Sequence, residues 1–528
     1  MLLILSLLAC TKDTPETPDD TGTERLTCAD GLYQREFVAP AEPGMLRRDA
    51  AGDFTLPLAN GESWTFSEHF DGCDVMVWVP HSLKNFSGDR IWEDGVADLV
   101  DQSPANAIYV FYVEGIYADS AVEHYEAQQA RVDEYLATLD EEQAAWWSER
   151  LLVVAGTTRE GWTGPAAVAT GTFDNGMAID RLQQLRGVGS YADVRDLNNS
   201  VGWYDSRLER ARHEVEYLNW EAQRAQEMEE TEKFATRVDF WQGDIIEEYE
   251  DITVTLPSAD EMSGFDTLEI EVLMECPDSE AIEQNNCGAW DYLAYMWVLA
   301  PDGETWWEVS RFITTYHRES HWVVDGTHAL PWLAEGGEHT FRFQWAPSWN
   351  TQPTAVTASL RLSNQGKGYK PVKTTPLFTG GDFTAGYTDD YEPIEVEVSS
   401  DAAHVELVTI LTGHGMETNN CAEFCDHRHF WDVDGAVSEQ SFTDVVGDQE
   451  GCSGRASEGV VPNQGGTWWF GRGGWCPGEK VEPFVVDATE AAADGSVTVD
   501  YYSTYKVQPS IPSGSGNIEL RSWLVEYQ

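Results

Sequence analysis

Three cysteine-framed stretches of the sequence carry residues that could do acid–base chemistry. ECPDSEAIEQNNCGAWD ends on Asp291, CAEFC carries Glu423 between two cysteines, and a loop rich in glycine and tryptophan carries Arg472. Two carboxylates in different environments can divide the roles of acid and base, and an arginine can stabilise a developing oxyanion. Taken singly, each residue is more simply interpreted as a turn, cap or loop residue. Together they form a candidate acid–base site.

The cysteines predict how these stretches are held. Nine are present, and setting aside Cys10 leaves an even number, which in an exported chain favours structural disulfides. None of the spacings is that of a zinc ribbon or finger, the competing interpretation. A bridge closing a loop as short as CAEFC stabilises little, so its value is to hold the backbone around Glu423. By position the cysteines fall into the pairs Cys28–Cys73, Cys276–Cys287, Cys421–Cys425 and Cys452–Cys476.

The first residues, MLLILSLLAC, predict export. An apolar run that ends in Leu-Leu-Ala-Cys is similar to a bacterial lipoprotein signal, in which Cys10 becomes the lipidated N-terminus. The run is too short to span a bilayer as a helix, and an acidic tether rich in Pro and Thr follows it, so residues 1–24 form a signal and tether. We therefore expect an exported bacterial protein that is lipid-anchored at the cell envelope or secreted.

Composition and charge exclude several classes of partner. The 528 residues include 92 acidic and 32 basic side chains, for a net charge of −60, and this field repels phosphate at long range. We expect no nucleic acid partner, and membrane contact only through a lipid anchor. With 42% hydrophobic and 12% aromatic residues the chain is globular, and its length suits two to four domains.

Residues 25–235 have the pattern of an α/β domain. The apolar runs DVMVWV, AIYVFYV and LLVVAG are typical of buried parallel strands, and a long polar helix closes the unit. The opening of the unit loosely resembles a thioredoxin-like domain. No Cys-x-x-Cys follows the first strand, however, so redox chemistry is not expected there.

From about residue 236 the chain changes to short strands that alternate apolar and polar residues between turns rich in Gly, Pro, Asn and Asp. About ten to a dozen strands with almost no helix predict antiparallel sandwiches of the jelly-roll type. The loop NQGKGYKP, residues 364–371, is the expected boundary between two such units, at 236–366 and 367–528.

The cysteine-framed stretches resemble the peptide-N-glycosidase F family over residues 240–528. The shared motifs are Glu-Cys-Pro followed by Trp-Asp, Arg-Phe-Ile-Thr, Cys-Ala-Glu-aromatic-Cys and Arg-x-Gly-Trp-Cys-Pro-Gly, in the family's order. The resemblance implies two eight-stranded jelly rolls side by side, with the active site in the cleft between them. It also implies an amidase that releases N-linked glycans from asparagine, leaves aspartate, and needs no metal or cofactor.

Carried over residue by residue, the resemblance makes Asp291 the principal catalytic group and Glu423 the residue that positions or protonates. The implied partners are N-glycosylated proteins or peptides, which a monomer would bind. Tryptophans suit such a site because their broad apolar faces can stack on sugar rings. The predicted substrate-binding residues are Arg472, Trp475, Trp468, Trp349, Phe424, Trp290 and His414.

The chain also departs from the family pattern. A third glutamate of the family falls at Pro347, an arginine after the catalytic aspartate is Tyr292, and a tryptophan between two glycines is His414. The alternative hypothesis is therefore a catalytically impaired jelly-roll module that binds glycan or protein at the cell surface. His427 and His429 would share one face of a strand and raise the question of a metal, for which a structural role is the simpler interpretation.

Overall fold

The computed structural model describes residues 25–42, 44–81, 91–92, 95–157, 176–191, 207–281, 286–350, 352–417 and 419–528. Cys10 and the predicted tether lie outside these ranges. The described residues form an α/β unit followed by two antiparallel β units, which confirms the predicted mixed fold.

The first unit is built on a five-stranded sheet. The strand order is β5-β4-β3-β6-β7. Strands β5, β4 and β3 pair in parallel on one side of the sheet, β6 pairs antiparallel with β3, and β7 pairs antiparallel with β6. Every residue of β3 and β4 is buried, which explains their continuous apolar sequences. The strands of the unit are β1 (Thr55–Pro57) and β2 (Ser63–Thr65), which form a separate pair, then β3 (Val75–His81), β4 (Ala107–Val113), β5 (Leu151–Thr157), β6 (Met177–Ile179) and β7 (Leu185–Gly187).

Helices cover this sheet, and the longest, Arg212–Glu232, leads into the first β unit. We call Arg212–Glu232 the long helix. Whether the unit is thioredoxin-like stays a prediction. The other α-helices are Phe66–His69, Val96–Val100, Ala121–Leu136, Glu141–Ser148 and Ala259–Met262. The 3₁₀ helices are Gly115–Ser120, Leu208–Ala211, Thr327–Leu333, Tyr387–Asp390, Ser453–Glu458 and Ala491–Asp494.

The next unit, which we call roll 1, packs two four-stranded antiparallel sheets face to face, in the orders β13-β10-β15-β8 and β12-β11-β14-β9. Alternate residues of β10 and β11 point into a core rich in Trp, Phe, Met and Val. Its strands are β8 (Ala235–Ile246), β9 (Tyr249–Ser258), β10 (Thr267–Glu275), β11 (Leu293–Leu299), β12 (Trp306–Ile313), β13 (Ser320–Asp325), β14 (Gly336–Gln344) and β15 (Thr354–Ser363).

The last unit, roll 2, repeats the arrangement with sheets in the orders β16-β23-β18-β21 and β17-β22-β19-β20. The loop NQGKGYKP lies between the two rolls. The strands of roll 2 are β16 (Pro371–Asp382), β17 (Ile394–Glu397), β18 (His404–His414), β19 (His427–Val433), β20 (Ala436–Ser441), β21 (Phe484–Asp487), β22 (Ser496–Tyr505) and β23 (Asn517–Tyr527).

Some strands were not evident from the sequence, and two of them lie at sheet edges. β16 contains two prolines and two glycines and pairs with β23 through several register shifts, as edge strands tolerate. β8 is largely exposed, so it lacks a clear apolar alternation. Among the described residues, no helix combines the length and apolarity that crossing a bilayer would require.

The Arg-Phe-Ile-Thr motif joins the two rolls. Arg311 forms an ion pair with Glu308 at 2.8 Å, with both side chains fully buried. Its Nη1 also donates to the Glu519 carbonyl at 2.6 Å and to Thr412 Oγ1 at 2.9 Å, both in roll 2. Next to it, Ile313 packs in a cluster that includes side chains of both rolls. The motif therefore fixes how the two sandwiches meet.

We expect Arg311→Met to lower the free energy of unfolding by about 3 kcal/mol, because it leaves the Glu308 carboxylate buried without its main partner. Arg428→Met is the matched control, since it removes ion pairs to Asp426 and Glu439 from a partly exposed arginine. That change should cost less than about 1 kcal/mol. Urea unfolding midpoints compare the two variants, and equal losses would contradict the role of the buried pair.

Candidate active site

Arg472 joins the two predicted carboxylates. Its Nη2 lies 3.1 Å from Asp291 Oδ2 and its Nε lies 3.3 Å from Glu423 Oε1. The guanidinium is fully buried, whereas the Asp291 and Glu423 side chains keep 13% and 18% of their surface exposed. The structure thus brings one carboxylate from each roll to the same cation, at a point that solvent reaches from the carboxylate side.

Local hydrogen bonds fix the backbone on both sides of Asp291, which lies just before β11. Thr314 Oγ1 donates to the Trp290 carbonyl at 2.8 Å and accepts from the Tyr292 amide at 2.7 Å. The Cys276–Cys287 disulfide closes the excursion that precedes these residues. The Asp291 carboxylate also accepts a hydrogen bond from the Tyr316 hydroxyl. Local hydrogen bonds therefore fix the backbone of Asp291, and Tyr316 and Arg472 orient its carboxylate.

The Glu423 loop is fixed by more than the Cys421–Cys425 disulfide. The Glu423 amide donates to the Gly415 carbonyl at 3.1 Å, and its carbonyl accepts from the Gly473 amide at 2.7 Å. Gly473 is the residue after Arg472, so the two loops are joined beside the side chains of the candidate site. A Cβ at Gly473 would lie 2.2 Å from Nε2 of the buried His427, so only glycine permits this contact.

The remaining N–H groups of Arg472 are used within its own loop. Nη1 donates to the carbonyls of Thr467 at 3.1 Å and Phe470 at 2.8 Å, and Nη2 donates to Thr467 Oγ1 at 3.2 Å. The guanidinium carbon lies 4.8 Å from the Trp475 ring centroid and 5.1 Å from that of Phe424. Because protein acceptors occupy all five N–H donors, Arg472 is better suited to positioning the two carboxylates and supplying positive charge than to binding a ligand.

Burial shifts the pKa of both carboxyls upward. Burial raises the pKa of Glu423 to about 7, with Arg472 opposing the shift and the Asp291 charge adding to it. Burial also raises the pKa of Asp291, against the effects of Arg472 and of the Tyr316 hydrogen bond. Two donors thus favour the ionised form of Asp291, while Glu423 carries a proton at neutral pH much of the time. This division suits one base and one acid.

Exposed aromatic side chains lie near the carboxylates. The side chains of Trp290 and Trp349 are 55% and 67% exposed, and Phe424 is partly exposed. Trp290 lies against Tyr316, and Trp349 meets the ring of Tyr292 edge-on at 5.4 Å. Tyr292 thus supports Trp349, and the exposed rings of Trp290 and Trp349 can stack on a ligand.

Two of the predicted substrate-binding tryptophans are buried instead. Trp468 is 1% exposed and packs edge-on against His213 of the first unit, so its ring does not reach the cleft. Trp475 is 3% exposed and lies between Arg472 and His414, with its Nε1 donating to the Gly413 carbonyl at 2.8 Å. Both rings support the loop that carries Arg472. Tryptophan content alone could not separate supporting rings from exposed ones.

The histidines of roll 2 form a chain of hydrogen bonds. His427 Nδ1 lies 2.7 Å from His429 Nε2, whose other ring nitrogen lies 2.7 Å from the Tyr501 hydroxyl. Burial lowers the pKa of His427 to about 4, so these rings are neutral and serve as structural groups. His414 is partly exposed, and burial together with nearby cations lowers its pKa to about 3. No group of three or more potential metal ligands occurs within the described ranges.

The disulfides join the cysteines in the four pairs proposed from their positions. The sequence interpretation missed two residues of the candidate site. Thr314 ends the Arg-Phe-Ile-Thr motif and bonds to the backbone beside Asp291, and Tyr316, two positions later, donates to the Asp291 carboxylate. Their position in an apparent strand end concealed that role.

Comparison with known proteins points to one family. Residues 383–525 match the family profile described as peptide-N-glycosidase F, C terminal. A curated relative, the peptide-N(4)-(N-acetyl-beta-D-glucosaminyl)asparagine amidase F of Elizabethkingia miricola, is 24% identical over 303 residues, covering 52% of this chain and 76% of the relative.

Similar solved structures carry related descriptions. One is a peptide-N(4)-(N-acetyl-beta-D-glucosaminyl)asparagine amidase with 16% identity and a TM-score of 0.45, covering 56% of this chain and 96% of its own. PNGF-II has 14% identity and a TM-score of 0.41, with coverages of 65% and 71%. The profile match and the curated relative thus both support the resemblance to the peptide-N-glycosidase F family that the cysteine-framed motifs predicted.

Proposed function

We propose that this chain is an exported amidase that hydrolyses the amide bond between an N-linked glycan and its asparagine. The products would be aspartate on the peptide and a glycosylamine. The observation that carries the proposal is the Arg472 guanidinium shared by Asp291 and Glu423, one carboxylate from each roll. Relatedness to an asparagine amidase supports the substrate class, and the N-terminal MLLILSLLAC supports export with a lipid anchor at Cys10.

The two carboxyls would divide the proton transfers. Ionised Asp291 takes a proton from water as the water oxygen bonds to the amide carbon. Protonated Glu423 gives its proton to the leaving nitrogen as the carbon–nitrogen bond breaks. Arg472 keeps Asp291 charged inside a partly buried site and limits how far the pKa of Glu423 rises. Trp290 and Trp349 would stack on the sugar or the peptide.

The test uses a glycopeptide and a denatured glycoprotein, with peptide mass as the readout. The unmodified protein should release intact glycan and convert asparagine to aspartate. Asp291→Asn and Glu423→Gln should each lose at least about 100-fold in kcat, because each removes one proton-transfer partner. Glu439→Gln, which changes a carboxylate on β20, serves as the control. Failure of the unmodified protein to release glycan from either substrate would favour the non-catalytic binding module.

The pH dependence follows from Glu423. As its pKa is about 7 and it acts as the acid, kcat/KM should fall as pH rises above about 7. In Glu423→Gln, the residual activity should lack this fall. Because the pKa of Glu423 is higher in the folded protein than in the unfolded chain, protonation of this carboxyl favours the folded state. This contribution to the free energy of unfolding is lost as the pH rises from about 4.5 to about 7. A pH–rate profile without a limb near neutrality would contradict the assignment.

Tyr316→Phe removes the hydroxyl that donates to Asp291. The pKa of Asp291 should rise, so that the acid limb of the pH–rate profile moves to higher pH and kcat falls by about 10-fold. Tyr295→Phe, a change on β11, is the control. An unmoved acid limb in Tyr316→Phe would show that the hydroxyl does not act on Asp291.

A further inference from the structure

A buried carboxylate of the first unit lies where the two rolls' site loops meet. Glu214, on the long helix, is 1% exposed. Its Oε1 accepts from Arg318 Nη1 at 2.9 Å and from Asn463 Nδ2 at 2.9 Å, and also from the Gly189 amide at 3.1 Å. Arg318 belongs to roll 1 and Asn463 to roll 2, so one carboxylate joins all three units.

The two loops that Glu214 joins carry site residues. Arg318 follows Tyr316 by two positions, and Asn463 lies in the Cys452–Cys476 loop that carries Arg472. The loops also bond to each other directly, because Gln464 Oε1 accepts from the Tyr316 amide at 2.8 Å. Displacing either partner of Glu214 therefore disturbs Tyr316 and the base of the Arg472 loop together.

The Arg472 loop depends on such outside support. Between β20 and β21 the chain forms only one short 3₁₀ helix and no strand longer than an isolated bridge. Val461 is buried in the core of the first unit, and the Trp220 ring packs onto Gly459. Arg210 pairs with Glu450 at 3.0 Å. Contacts with the first unit thus stabilise this loop, whereas sheet hydrogen bonds stabilise the strands of the rolls.

We propose that the first unit is part of the active-site machinery, and that Glu214 is a positioning residue that sets the Arg472 and Tyr316 loops against each other. This inference rests on the proposed amidase function for its kinetic consequences. Trp290 and Trp349 belong to roll 1 and lie outside the Arg472 loop. Loss of Glu214 should therefore affect turnover more than substrate binding.

The experiment compares Glu214→Ala and Glu214→Gln with Glu229→Ala, a matched change on the same helix. Glu229 pairs with Arg25 and Arg35 at the surface, and its side chain is 38% exposed. We expect kcat of Glu214→Ala to fall by about 10- to 100-fold, with KM within about twofold of the unmodified protein. Because Arg472 would move away from Glu423, the pKa of Glu423 should rise. The alkaline limb of the pH–rate profile should then move to higher pH by up to about one pH unit.

A lower kcat with an unmoved alkaline limb would overturn the inference, since it indicates only less folded protein. Unchanged kinetics would overturn it as well. Glu214→Gln keeps the side-chain shape and provides the same readouts should the alanine variant not fold.

Amide hydrogen exchange separates this inference from the proposed function. In Glu214→Ala, peptides that cover 316–318 and 459–472 should exchange at least about 10-fold faster, and those of Glu229→Ala should not change. Should the unmodified protein show no amidase activity, the proposed function fails and exchange alone decides. Faster exchange in both loops then supports Glu214 as the residue that positions them, and unchanged exchange overturns it.

Discussion

The site depends on one buried cation shared by two carboxylates. Burying Asp291 and Glu423 beside each other disfavours their charged forms, and the buried Arg472 offsets this cost while both carboxylates stay partly exposed. Because the two carboxyls share this one guanidinium, the pair binds one proton more readily than it loses both. The environment thus favours the protonated form of Glu423 and the ionised form of Asp291, although the two side chains are chemically alike.

Much of the surrounding structure serves to keep Arg472 in place. Trp475 and Phe424 lie against its guanidinium, and loop carbonyls accept from its remaining donors. Around this layer, Arg311 joins the rolls and Glu214 joins the rolls to the first unit. The fold and the site are therefore stabilised by the same kind of contact, a buried charge whose hydrogen bonds cross between units.

The sequence predicted the parts of the structure that depend on local pattern. Apolar runs predicted β3, β4 and β5, and alternation predicted many strands of the rolls. Edge strands such as β16 escaped notice because exposure and register shifts remove the alternation. Asp291, Glu423 and Arg472 could be proposed from motifs.

The sequence could not predict how deeply each of these side chains is buried. Trp468 and Trp349 look alike in sequence, yet one packs against the first unit and the other faces solvent. Glu214 gave no indication at all, because its side-chain partners Arg318 and Asn463 lie in loops more than 100 residues away along the chain.

The irregular Arg472 loop has a consequence for when activity can arise. Its contacts draw on Glu214, Tyr316 and Glu423, which lie far apart along the chain. Contacts between such distant residues form late, after the loop-closure entropy has been overcome. During synthesis, a chain that does not yet include Arg472 holds Asp291 without its cation. The arrangement of Asp291, Arg472 and Glu423 therefore forms only once all three units have packed together.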